Sequence, residues 1–258
     1  MLSTNATVEG RVALVTGAVG GIGRAVCTAL VDSGMRVVGA DLPAAVKAVA
    51  DSDCHTLLGG DITVDSDRMV EEAVVACGRL DAVVNLVGMN IFADLLDLTD
   101  ADWDRVMSIN LTGAYRLSRA AAGHLTGAGH GGSIVHFTSV TSLFGSPGQA
   151  AYAAAKAGLA NLVKSMSVEW APYGIRVNAV SPVMTRTPIN ADWLDEDQER
   201  AGRIAAKIPL GRLGSPTDYA GLVRFLVSDE ASFVTGQTVF ADGGTSLVHP
   251  LLGVRGTA

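Results

Sequence analysis

The sequence predicts an α/β protein: a single domain built on a doubly wound sheet of about seven parallel strands, with helices on both faces. Two observations carry this expectation. Short apolar runs such as VALV, AVVNLV and SIVHF show no polar alternation, as strands covered on both faces require. Longer stretches of helical period lie between them, the alternation that places crossover helices between parallel strands. With 258 residues, 48% of them hydrophobic, the chain can bury a sizeable core. No break in composition marks a linker, and no internal repeat is present.

Taken in order, Arg11–Thr16 reads as the first strand, followed by a glycine-rich turn and a helix over Ile22–Asp32. Strands follow at Arg36–Ala40, His55–Gly59, Leu80–Leu86, Ser133–Thr138 and Ile175–Val180, with a last one near Thr238–Phe240. The clearest helical patterns are Val64–Cys77, Ala101–Gly123 and Ala150–Trp170. Thr187–Lys207 carries the acidic cluster DWLDEDQER and reads either as a solvated helix or as a lid over a site at the strand ends. Residues 246–258 form a C-terminal tail.

Twenty-six acidic and 19 basic residues give a net charge of −7, which repels phosphate backbones and argues against nucleic-acid binding. No apolar run approaches the ~20 residues that span a bilayer, and MLSTNATVEG lacks a signal pattern. The expectation is a soluble, cytoplasmic protein without a membrane partner. Cys27, Cys54 and Cys77 suggest neither a disulfide framework nor a metal site and read as small buried hydrophobes. The five histidines include no HExxH or i,i+4 pair, so no catalytic metal is expected.

Directly after the first strand comes Thr16-Gly17-Ala18-Val19-Gly20-Gly21-Ile22-Gly23. Gly17 permits a tight turn, Gly20 or Gly21 lets a pyrophosphate approach the backbone, and Gly23 allows the helix to pack close to the sheet. The helix N-terminus then offers unpaired N–H groups to the anion. Asp41 stands at the end of the second strand, 24 residues beyond Gly17. A carboxylate there accepts hydrogen bonds from ribose hydroxyls and repels a 2'-phosphate. Neither Val19 nor Leu42 supplies a compensating cation, so NAD is expected over NADP.

Tyr152 and Lys156 are four residues apart in AYAAAKAG, on one face of an alanine-rich helix. A free phenol titrates near ~10, so a tyrosine base at neutral pH needs about 4 kcal/mol of help. A lysine ammonium at ~5 Å with an effective dielectric of ~20 supplies roughly 3 kcal/mol of it. Ser139, 13 residues before Tyr152, ends the strand IVHFTS, where a hydroxyl can hold a substrate oxygen as charge develops. Thr138 and Ser142 are neighbouring alternatives.

With these motifs assembled, residues 9–245 resemble the short-chain dehydrogenase/reductase family, classical type, and so imply a Rossmann-like fold. The resemblance assigns the TGxxxGxG turn to Thr16–Gly23, an adenine-side acid to Asp61 with Ile62 beside the ring, and the Ser–Tyr–Lys set to Ser139, Tyr152 and Lys156. It also assigns Asn110, in SINLTG, to anchoring a water that links the lysine to solvent. The late ADGG, Ala241–Gly244, also fits. Two departures stand out. The family's NNAG appears as Asn85-Leu86-Val87-Gly88, and its PG after the sixth strand as Pro182-Val183. Thr187 takes the position expected to hold the cofactor's carboxamide.

The implied chemistry is hydride transfer between a substrate carbon and nicotinamide C4. Tyr152 is the general acid/base, Ser139 the oxygen holder, and Lys156 the group that lowers the tyrosine pKa and binds ribose. The expected substrate is a small secondary alcohol of polyol, sugar or hydroxy acid type. A 3-oxoacyl-type ketoreductase is the alternative, and a cofactor-binding sensor without turnover a remote one. Pocket positions are Asn90, Thr141, Ser142, Phe144, Gln149, Met184 and Ile189–Trp193, with Arg186 available to a substrate carboxylate and Arg203 and Arg212 as lesser candidates. A homotetramer is implied by family likeness, through the helices at Ala101–Gly123 and Ala150–Trp170.

Overall fold

The structure is a computed structural model that describes residues 8–49, 52–197 and 199–248. Seven parallel strands form one sheet: β1 Val12–Thr16, β2 Arg36–Asp41, β3 Thr56–Gly59, β4 Ala82–Asn85, β5 Gly132–Phe137, β6 Ile175–Pro182 and β7 Thr238–Ala241. Their order is β3-β2-β1-β4-β5-β6-β7, so the winding reverses between β1 and β4. Ligands of such sheets bind outside the carboxyl ends at this reversal.

The unalternating strand runs follow from burial on both faces. Along β1, Val12 and Leu14 enter one core, while Ala13 and Val15 enter the other. The first core is closed by α3 Ser66–Cys77, α5 Gly113–Ala128 and α6 Ala150–Trp170. The second is closed by α1 Gly21–Asp32 and α9 Pro216–Val227, which pack side by side. The remaining helices are short: α2 Pro43–Ala48, α4 Asp100–Met107, α7 Ala191–Asp195 and α8 Arg200–Ala205.

Two findings differ from the sequence expectation. The pattern read as one helix over Ala101–Gly123 is α4 and α5 joined by a π turn at Ser108–Thr112. Hydropathy spacing does not register it, because one π turn leaves the apolar face nearly continuous. Its cause is local: the Asn110 side chain bonds back to the Val106 carbonyl at 2.9 Å. The second finding is α9, for which the sequence reading has no counterpart. Its start is nevertheless written in SPTD, with Pro216 in the first turn and Ser215 and Asp218 forming a capping box. The segment 187–207 holds α7 and α8, and most of the C-terminal tail lies outside the described residues.

Candidate active site

The glycine turn is shaped by two positions that tolerate no side chain. Gly17 has φ +74°. A Cβ on Gly23 would lie 2.0 Å from the Gly17 carbonyl oxygen. The turn is then tied to the end of β2, because the amides of Gly17 and Ala18 donate to the Ala40 carbonyl at 2.9 and 3.2 Å. The Val19 amide donates to Asp41 Oδ2 at 3.0 Å, and the Leu42 amide to Oδ1 at 2.8 Å. Asp41 is thus oriented by the turn itself. No side chain caps α1, which leaves its first-turn amides facing the turn for an anion. A Cβ on Gly20 would meet the Gly17 carbonyl oxygen at 3.4 Å. These residues fit a dinucleotide.

On the adenine side the geometry is less direct than the resemblance implies. Asp61 accepts the Thr63 amide at 2.8 Å. Ile62 is buried in the core against Gly113, so its side chain does not stand free beside a ring. Leu86 and Val87, the bulky replacements in the NNAG position, point into opposite cores. That placement takes both side chains into apolar packing.

A buried polar row lies under the strand ends. Thr16, Asn85 and His136 are register partners across β1, β4 and β5. Thr16 donates to Asn85 Oδ1 at 2.8 Å, and the same oxygen accepts the Val87 amide at 3.1 Å. Asn85 Nδ2 meets His136 Nδ1 at 3.4 Å, and His136 Nε2 meets Ser118 Oγ at 2.8 Å. Ser118 in turn donates to the Ala114 carbonyl at 2.8 Å. Burial, aided by the Lys156 charge, lowers the His136 pKa to about 3, so the ring is neutral. A neutral ring accepting at Nδ1 and donating from Nε2 satisfies every partner in the row. Sequence reasoning used Asn85 alone. A histidine inside the unbroken apolar run SIVHF was the signal for the rest, since a buried imidazole needs partners on both nitrogens.

The catalytic candidates converge above this row. Lys156 is 3% exposed and donates to the Phe137 carbonyl at 2.8 Å. Its Nζ lies 5.5 Å from the Tyr152 ring centre. Burial lowers the Lys156 pKa to about 8. Gly88 passes so close that a Cβ there would lie 2.9 Å from Asn110 Oδ1 and 3.1 Å from Lys156 Nζ. Asn110 clamps the same loop, donating to the Met89 carbonyl at 2.8 Å and accepting the Met89 amide at 3.3 Å. Ser139 Oγ caps the turn Val140–Ser142 and hydrogen-bonds the Tyr152 phenol.

One electrostatic expectation is corrected here. Burial raises the Tyr152 pKa, and only the Ser139 hydrogen bond opposes it. Lys156 does not by itself bring the phenol down in this structure.

Among the substrate-side residues, Gln149 accepts the Ser146 hydroxyl at 3.3 Å, and Ser142 closes the short turn after Ser139. Met184 Sδ lies 3.7 Å from Asn190 Nδ2, and Asn90 Oδ1 is buried without a protein partner. Thr187 gives both its amide and its hydroxyl to Asn190 Oδ1, and Pro182 ends β6. Thr187 and Pro188 cross directly over Gly21, which brings the loop after β6 onto the phosphate turn. Arg186, expected to meet a substrate carboxylate, is held in a two-pronged pair by Asp195 at 2.8 and 2.6 Å. Arg203 and Arg212 are likewise paired, with Asp197 and Asp218.

A family profile described as enoyl-(acyl carrier protein) reductase matches residues 17–246. The chain is 37% identical to the 3-oxoacyl-[acyl-carrier-protein] reductase of Thermotoga maritima, covering 92% of this chain and 98% of the relative. It is 39% identical to the L-rhamnose 1-dehydrogenase (NAD(P)(+)) of Azotobacter vinelandii, over 90% and 94% of the two chains. A solved structure from Beutenbergia cavernae, with NADP bound at low occupancy, superposes with a TM-score of 0.87. That protein is 35% identical, with coverage of 95% of this chain and 100% of the other. A parallel sheet with a dinucleotide turn and a Ser–Tyr–Lys group at its strand ends defines a nicotinamide-dinucleotide oxidoreductase. The chain belongs to the short-chain dehydrogenase/reductase family.

Proposed function

We propose that this protein is an NAD-dependent dehydrogenase that interconverts a secondary alcohol and its ketone. The observation that carries the reading is the meeting of Ser139, Tyr152 and Lys156 beside a turn whose amide holds Asp41. Gly17, Gly20, Gly21, Ile22 and Gly23 form the pyrophosphate turn, in which the first-turn amides of α1 face the anion. Asp41 and Leu42 meet the adenosine ribose, Asp61 and the backbone of Ile62 the adenine side, and Asn85, Gly88, Pro182 and Thr187 the nicotinamide half. NAD, when bound, supplies the hydride acceptor at nicotinamide C4 and a positive charge near the tyrosine. Ser139 holds the substrate oxygen, and Tyr152 takes the hydroxyl proton in oxidation or gives it back in reduction. Lys156 anchors the ribose and stabilises the phenolate, and Asn110 holds the relay water.

Asn90, Ser142, Gln149 and Met184 line the substrate side. Because Arg186, Arg203 and Arg212 are all engaged by this chain's own carboxylates, a neutral polyol or sugar suits the cleft better than a hydroxy acid. The rhamnose-oxidising relative supports the sugar class. We place the enzyme in the cytoplasm as a homotetramer; among the described residues, no helix is long and apolar enough to cross a membrane. The test is NAD reduction across secondary alcohols, polyols, sugars and hydroxy acids, with NADP and Tyr152→Phe run alongside. Turnover of one class with NAD, abolished in the variant while NAD still binds, is the expected result. Loss of NAD binding in Tyr152→Phe would overturn the role of that residue, and preference for NADP that of Asp41.

A further inference from the structure

Tyr219, on α9, is fully buried in the core that α1 and α9 close, its ring edge-on to Phe137 at 6.2 Å between centres. A phenol in such a place needs a hydrogen-bond partner. Its hydroxyl lies 2.6 Å from Thr185 Oγ1, in the loop after β6. Thr185 is buried as well, and it gives its own hydroxyl proton to the Val183 carbonyl at 2.8 Å. A hydroxyl has one proton to give, so Tyr219 is the donor in the pair.

The two hydroxyls sit on a bridge between that loop and the approach to α9. Thr185 and Gly214 pair in parallel: the Gly214 amide donates to the Met184 carbonyl at 2.9 Å, and the Arg186 amide to the Gly214 carbonyl at 3.1 Å. A Cβ on Gly214 would lie 2.2 Å from Tyr219 Oη and 2.9 Å from Thr185 Oγ1, so the bridge has no room for a side chain there. From Thr185 the contacts run on along the loop. Its carbonyl accepts Asn190 Nδ2 at 2.8 Å, and Asn190 Oδ1 takes the amide and hydroxyl of Thr187 at 2.8 and 3.2 Å. Thr187 Cβ and Pro188 Cδ then come within 3.2 and 2.9 Å of the point that a Cβ on Gly21 would occupy. A hydroxyl in the core thus connects through Thr185, Asn190 and Thr187 to the phosphate turn.

We propose that Tyr219 is a positioning residue for the dinucleotide: its hydroxyl, acting through Thr185, sets the loop 183–190 so that Thr187 meets the nicotinamide half. The inference rests on the dinucleotide reading proposed above. Two apolar groups of the same shape would fill this space at little cost in stability. They would impose no direction on the loop, whereas a donor and an acceptor 2.6 Å apart fix where Thr185 stands. The ring of Tyr219 is held by its packing in the core, so the anchor does not move with the loop.

The experiment uses the full chain and reads NAD affinity by titration, amide hydrogen exchange, and urea unfolding to check that each variant is folded. Tyr219→Phe keeps the ring and removes only the hydroxyl, and Thr185→Val keeps the shape of its partner. Each should weaken NAD binding about tenfold, the scale of one hydrogen bond, and speed exchange at the Gly214 and Arg186 amides. The double variant should bind no more weakly than the weaker single one, because both remove the same link. Thr185→Ser, which retains the hydroxyl, should bind NAD within twofold of the parent. Shifted unfolding midpoints with parental NAD affinity would make Tyr219 a core residue only and overturn the proposal. Additive losses in the double variant would overturn the path through Thr185. A parent chain that binds no NAD overturns the dinucleotide reading itself, and unchanged exchange at Gly214 and Arg186 in Tyr219→Phe separately overturns the hold on the loop.

Discussion

Replacing Lys156 with methionine should make the unliganded protein more stable while removing its activity. The Lys156 pKa falls from an ordinary 10.5 to about 8 because burial disfavours the ammonium. At ~1.4 kcal/mol per pKa unit, keeping it charged at pH 7 costs the fold about 3 kcal/mol. Methionine occupies similar space and removes that cost, but leaves the Phe137 carbonyl without its 2.8 Å donor, a loss of about 1–2 kcal/mol. The net gain is about 1–2 kcal/mol, or a rise in Tm of about 4 °C for a chain of this size. The pH dependence identifies the cause. Between pH 8 and 10.5 the unfolded chain binds more protons at this site than the folded one, so parent stability rises with pH across that window. The variant lacks the titration, and its advantage is constant below pH 8 and shrinks toward pH 10.5. Urea unfolding at pH 7 and pH 10, without nucleotide, measures both. A variant less stable at pH 7, or an advantage unchanged at pH 10, would refute the burial argument.

Three further outcomes follow from the same geometry. Gly23→Ala places a methyl 2.0 Å from a backbone oxygen, so the turn must open; urea unfolding should show a loss of about 3 kcal/mol, and NAD titration no binding. Asp41→Ser removes a charge that repels the 2'-phosphate by about 1.5 kcal/mol at ~5 Å in water-like dielectric, so the NAD-to-NADP ratio of kcat/KM should fall about tenfold. Arg186→Ala should leave the substrate KM within twofold of the parent in steady-state assays, because Asp195 already occupies the guanidinium; a large rise in KM would show that it contacts substrate.

The strand runs, the glycine turn, Asp41 and the Tyr152–Lys156 spacing were all legible in the chain, for one physical reason. Each is a local rule: strand burial, a backbone without Cβ, and helical repeat act within a few residues of one another. The same locality explains the failures. A π turn at Asn110 leaves hydropathy unchanged, and whether Arg186 is free depends on where α7 delivers Asp195. The direction of the Tyr152 pKa is set by how completely the surrounding elements exclude water, which no spacing encodes. Thr16, Asn85 and His136 become one row only through strand register. Local chemistry named the fold, the turn and the candidate reacting groups, whereas long-range packing decided which charges were spent and which side chains met.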